Sequence, residues 1–187
     1  MFTAYATLFR TPGAMKFSLT GIIGRMPVSM DSLALIFIVV AANGSYAIAG
    51  AIGATASIVV AISMPLWARI SDRIGQRAIL IRVVPLKLFG LSIFLLLVLN
   101  DAPVWTWFLS IIFAEAVSIN LGGMVRRRWI HILSPDESPT SGDKNDRHFI
   151  NTAYSLEALN DEFVFIAGPI IATACATSIT PTAGLIV

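Results

Sequence analysis

Pro65-Leu66-Trp67-Ala68-Arg69-Ile70-Ser71-Asp72-Arg73-Ile74-Gly75-Gln76-Arg77 is a short charged island with a long apolar run on either side. Each charge held at the centre of a bilayer costs roughly 2.5 to 3.5 kcal/mol on the insertion scale. A membrane-crossing run therefore cannot continue through Arg69, Asp72, Arg73 and Arg77. The island is expected at a membrane surface, between the end of one span and the start of the next. Gly75 suits the positive φ that ends a helix, and Asp72 suits the donors of a helix N-terminus. Arg73 and Arg77 suit lipid phosphates or loop carboxylates.

Working outward, the rest of the chain supports a bilayer setting. Of its 187 residues, 56% are hydrophobic and 13% charged, and the mean hydropathy is +0.80. Soluble domains carry about 25% charged residues, so the chain reads as an all-α integral membrane protein. About 20 apolar residues cross a hydrocarbon core about 30 Å thick, and this length holds roughly five or six spans. The pI near 9.0 does not point to nucleic acid. The basic residues fall in clusters between apolar runs rather than along one face, as a topology signal does. The single cysteine, Cys175, allows no internal disulfide and reads as a packing residue.

Residues 1–18 read as a cytoplasmic lead broken at Thr11-Pro12-Gly13, and residues 19–187 as the transmembrane domain. Span 1 is expected over 19–42, with Arg25, Pro27 and Asp31 inside it. The run from Met30 to Ala42 resembles a signal-peptide core, but Pro27 and the apolar lead-in from Leu19 favour a retained span. Asn43-Gly44-Ser45 is a tight turn into span 2, over 46–66. There Gly50 with Ala54, and Gly53 with Ser57, give the four-residue spacing of small residues at close helix crossings.

Span 3 is expected over 78–99, kinked at Pro85, with Arg82 and Lys87 inside it. Span 4 follows over 104–125, opening on the interfacial pair Trp105 and Trp107 and ending at Arg126-Arg127-Arg128-Trp129. A flexible cytoplasmic loop is expected over about 130–151. Span 5 begins near Thr152, with a clean apolar part from Phe163 to Thr177. Beyond the turn at Ser178 to Pro181 only the start of a sixth span remains, covering about 9 Å. No Lys or Arg occupies the turns 43–45 and 100–103, so the N-terminus is expected in the cytoplasm.

Ionisable residues inside spans are functional candidates, and depth weighs that reading against a structural one. Asp31 and Glu115 lie near the middle of spans 1 and 4, out of reach of an interface. They are candidates for a substrate or proton pathway. A buried carboxylate can exchange protons near neutral pH or neutralise a cationic substrate. Arg25 is a candidate for the same pathway, but it and Arg82 lie close enough to the cytoplasmic ends to snorkel. Glu157 and Asp161, four apart on one face, are expected to pair with Arg126, Arg127 or Arg128, or to gate that end. Gly168-Pro169 reads as a hinge, a tight crossing or an ordinary proline kink. His131 and His148 lack metal-ligand spacing, and neither a nucleophile constellation nor a phosphate-cradling loop occurs. Enzymatic activity, a metal and a cofactor are not expected.

The island's pattern of small Ala68, Asp72-Arg73, Gly75 and closing Arg77 resembles the loop between helices 2 and 3 of major facilitator superfamily transporters. Ala68 stands where the family pattern has glycine, and Gln76 where it has the first arginine of a pair. Gly168-Pro169 resembles the glycine-proline motif in helix 5 of that superfamily's exporters. The resemblance implies the N-terminal six-helix half of such a transporter, with five complete helices and the start of a sixth. It implies alternating access around a midplane site, with helices 1 and 4 lining a cavity that holds Asp31 and Glu115. Lys87 would be a peripheral ion-pair partner, and Asp72 a conformational latch.

Span 4 lacks an arginine before position 126, unlike many proton-coupled exporters of the family, so uncoupled transport stays open. The implied activity is small-molecule transport, by export, from the plasma membrane. The implied partners are the bilayer, a small-molecule substrate, and a second transporter half or another copy of the chain, with no nucleic acid. The alternative is a non-transporting membrane scaffold or an inactive transporter fragment.

Overall fold

The computed structural model describes residue 8, residues 13–133 and residues 144–186. Residues 134–143 of the expected flexible loop and most of the N-terminal lead lie outside the described residues. Among those described the chain is helical and has no strand: α1 (Ala14–Asn43), α2 (Tyr46–Ile74), α3 (Gln76–Leu99), α4 (Val104–Ala116), α5 (Leu121–Leu133), α6 (Lys144–Ser178) and a single turn, α7 (Ala183–Ile186). Among the described residues five segments are long and apolar enough to cross a membrane: α1, α2, α3, residues 104–133, and residues 149–178 of α6. The chain is a multi-pass membrane protein. Large apolar side chains face outward along these helices, among them Ile58, Leu88, Phe165 and Ile170, where lipid rather than water satisfies them.

Local chemistry sets the breaks. Gly44, at φ 72°, turns the chain after α1, and the Ser45 hydroxyl caps α2 by accepting from the Ile48 amide. Gly75 adopts φ 88° between α2 and α3, and its amide donates to the Ser71 carbonyl. Most of the island is thus not a loop. Arg69, Asp72 and Arg73 lie on the last turns of α2, which run past the expected end at Leu66, and the chain stops being helical only at Gly75. Helices α1, α5 and α6 likewise extend beyond the expected spans, into the lead and into both ends of the expected loop. Polar residues continue a helix past the hydrocarbon edge because every helical backbone group is already paired.

The chain divides into two compact units. One comprises residues 1–29 and 121–168, the other residues 30–120 and 169–187. The second has the larger apolar core. Leu35, Ile38 and Val39 of α1 pack with Ala49, Ile52 and Ala56 of α2, Leu91, Phe94 and Val98 of α3, and Trp107, Ile111 and Ala114 of α4. Trp107 is therefore a core residue rather than an interfacial one, while Trp105 is 64% exposed. The first unit is built around Trp129, with Leu8, Ala14 and Ala153. The Phe17 ring stands edge-on to Trp129 at 4.6 Å between centroids. Where the chain passes between units it is weakened as a helix: Pro27 precedes the first passage, α4 ends before the second, and Gly168-Pro169 forms the third.

Candidate functional site

The largest departure from the expected helices is in span 4. Instead of one helix over 104–125, the chain leaves helical geometry at Val117–Asn120 and resumes at Leu121. A break inside an apolar span frees carbonyls that lipid cannot satisfy. Helix α2 supplies the partners. The Ser63 hydroxyl donates to the Glu115 carbonyl at 3.0 Å, and the Trp67 indole Nε1 donates to the Ala116 carbonyl at 2.7 Å. Ser63 and Trp67 are four apart and share one helix face, so one face of α2 holds two successive carbonyls of the break. The Ser118 amide also donates to the Glu115 carbonyl, at 3.1 Å.

The break carries an ion cluster of the second unit. Lys87 Nζ donates to Asp31 Oδ2 at 2.9 Å, to Glu115 Oε2 at 3.3 Å and to Ser118 Oγ at 3.3 Å. Ser118 Oγ in turn donates to Glu115 Oε2. Close backbone approach places the ammonium here. A Cβ built on Gly90 would meet Ala114 Cα at 2.8 Å and Ala114 Cβ at 2.9 Å, so only glycine lets α3 come this near α4. Lys87 lies one turn before Gly90, and Glu115 is next to Ala114. The Glu115 side chain is 4% exposed, and those of Lys87 and Asp31 are 18% exposed. Two carboxylates face one ammonium, which leaves a formal surplus of one negative charge. The end of α4 adds the partial negative charge of a helix C-terminus, so the site favours cations.

Asp31 and Glu115 thus both meet Lys87. Lys87 is central to the cluster rather than peripheral. Arg25 belongs elsewhere. In the first unit its Nη2 contacts Glu157 Oε2 at 2.6 Å, its Nη1 pairs with Asp161, and its Nε donates to the Gly21 carbonyl at 2.9 Å. Arg126 completes the group through Asp161 Oδ2 at 2.7 Å. Glu157, fully buried, also accepts from Trp129 Nε1 at 2.9 Å and from the Ser18 hydroxyl. Of the three arginines expected to meet Glu157 and Asp161, Arg126 does so through Asp161, and Arg128 lies 5.8 Å from the Phe17 ring centroid. Arg127 is on the same helix, α5. Glu157 is taken by Arg25, whose burial replaces the expected snorkelling.

Gly168 makes a close crossing inside the first unit: a Cβ there would lie 2.8 Å from Ser29 Cβ and closer still to Ser29 Oγ. Pro169 lies within α6, which continues through it. Among the described residues Gly50 and Gly53 do not pack a helix, for a Cβ at either would meet nothing within 4 Å. The buried face of α2 is instead Ala49, Ile52, Ala56 and Ser63, a different stripe of the same helix. Ala68 is half-buried, and Arg69, Asp72, Arg73, Gly75 and Arg77 are exposed. His131 and His148 sit on α5 and α6, and no trio of metal-ligating side chains forms among the described residues.

Sequence reading missed Ser63, Trp67, Gly90, Ser118 and Trp129. The readable signals were the spacing of Ser63 and Trp67, and Ser118 three residues after Glu115; a lone Gly90 in an apolar run gave none. An apolar groove of about 230 Å³ in the second unit, bordered by Ile36, Val40, Tyr46, Thr177 and Pro181, contains none of the ionisable candidates. No protein-family model, curated protein or solved structure matches this chain.

Proposed function

We propose that the chain forms the N-terminal part of a major facilitator transporter in the plasma membrane, with its N-terminus in the cytoplasm, and exports a small molecule by alternating access. One observation carries this reading: Lys87, Asp31, Glu115 and Ser118 meet inside apolar spans, at the broken end of α4. Charges in a span are costly unless paired, and a cluster with surplus charge goes beyond what helix packing needs. The surplus carboxylate is neutralised by a proton or a cationic substrate, which links the cluster to transport. The island's pattern and the close crossing at Gly168 agree with the resemblance to that superfamily.

The test is flux of candidate compounds into proteoliposomes containing the complete transporter assembly, with and without a pH gradient. Asp31→Asn and Glu115→Gln are each expected to abolish flux while membrane abundance stays unchanged. Normal flux in both variants refutes the reading. The scaffold alternative draws on the open face of α2 at Gly50 and Gly53. It predicts a co-purifying membrane partner that Gly50→Leu removes.

A further inference from the structure

We infer that the Asp31, Glu115 and Ser118 oxygens form a receptor for a primary ammonium group, that Lys87 fills it from within, and that the substrate class is accordingly the organic primary amines. The inference deepens the transport reading above and takes its biological direction from it, but the binding step stands alone. An ammonium has three N–H donors and no acceptor, and Lys87 Nζ meets three acceptors, at 2.9, 3.3 and 3.3 Å. A guanidinium or a quaternary ammonium does not match that count, the first being planar with five donors and the second having none.

Two of the three receptor oxygens, those of Glu115 and Ser118, have partners other than the lysine, whereas among the described residues Asp31 is held by Lys87 alone. Ser118 Oγ is tied to Glu115 Oε2, and the Glu115 and Ala116 carbonyls are tied to Ser63 and Trp67. Both the helix C-terminus and the surplus carboxylate favour a positive occupant. Lys87 and Asp31 retain 18% side-chain exposure, so the cluster sits at the margin of the core rather than sealed inside it. Lys87 thus acts as a tethered competitor: an incoming amine displaces its head group, and the lysine returns when the amine leaves, so the carboxylates are never bare.

The test uses the full chain in lipid nanodiscs. Lys87→Ala lacks three methylenes and the ammonium, which n-propylammonium supplies. At a concentration about a hundred times its Kd, n-propylammonium is expected to raise the Tm of Lys87→Ala by about 5 °C and that of the wild type by less than about 1 °C. Tetramethylammonium and n-propanol should leave both unchanged, and Asp31→Asn in the Lys87→Ala background should remove most of the shift. No shift with n-propylammonium, an equal shift with tetramethylammonium, or a shift that survives Asp31→Asn overturns the inference. Should Lys87→Ala fail to fold, Lys87→Met, which ends one atom short of the nitrogen, is measured with ammonium ion under the same criteria. Amine binding without amine flux in the complete assembly would refute transport and leave the receptor standing. Flux of non-amine solutes without ammonium binding would do the reverse.

Discussion

The two ion clusters make opposite use of the same residue types. In the first unit Arg25 and Arg126 face Glu157 and Asp161, so charge balances, and Glu157 is fully buried with an indole and a guanidinium on its two oxygens. In the second unit Lys87 alone faces Asp31 and Glu115, charge does not balance, and two of the three side chains stay partly open. A balanced network has nothing left to bind and serves as a clamp between helices. An unbalanced one is equipped to take a further cation. Residue type alone, arginine or lysine with carboxylates in a span, does not tell clamp from receptor; stoichiometry does.

The comparison breaks most sharply at Glu157. Glu157→Ala leaves Arg25 Nη2 and the Trp129 indole without their buried acceptor, with Asp161 still pairing the other guanidinium nitrogen, and should cost about 3 kcal/mol. The expected readout is loss of monodisperse protein or a large fall in Tm; a variant as stable as the wild type would show that the network is no clamp. Next come the close crossings. Gly168→Ala and Gly90→Ala each force a methyl into backbone or Ser29, and should cost about 1 to 3 kcal/mol. Ser29→Gly should recover much of the loss at Gly168 but none at Gly90, as thermal unfolding of the single and double variants would reveal.

A smaller effect sharpens the contrast. Asp31→Asn leaves Lys87 paired one-to-one with Glu115, so it should change stability by about 1 kcal/mol or less even as it removes flux. A loss as large as that of Glu157→Ala would erase the distinction between the clusters. The smallest expected effect is at Gly50, where a methyl has open space on a helix. Gly50→Ala should stabilise by about 0.5 to 1 kcal/mol, and a measured destabilisation would reveal a neighbour packed on that face.

The helices were legible because their signals are local. Apolar length, Gly44-Ser45 and Gly75 fix where spans begin and end, and five membrane-length segments follow. The break at 117–120 was not legible, because its cause is tertiary. Without Ser63 and Trp67 on α2 to take the freed carbonyls, residues 104–125 read as one apolar helix. Asp31 and Glu115 stood out by depth, but which cation they meet depends on the α3–α4 approach at Gly90, a packing fact invisible in sequence. Arg25 was misassigned for the same reason: its distance from the membrane edge was readable, its partner on a helix more than a hundred residues later was not. Small-residue spacing placed a crossing at Gly50 and Gly53 that does not form among the described residues, since spacing marks a possible contact and not the face that is used.

The sequence distance between Arg25 and Glu157 also bears on how the chain is made. The two are separated by 132 residues, so at about 5 to 20 residues per second the guanidinium waits on the order of ten seconds for its carboxylate to leave the ribosome. Lys87 has Asp31 already behind it and meets Glu115 only 28 residues later. The second unit can therefore pair its lysine early in synthesis, whereas the first helix enters the membrane with a bare arginine. Nascent chains arrested before Glu157 should hold that helix shifted towards the lipid headgroups, and chains arrested well beyond it should not.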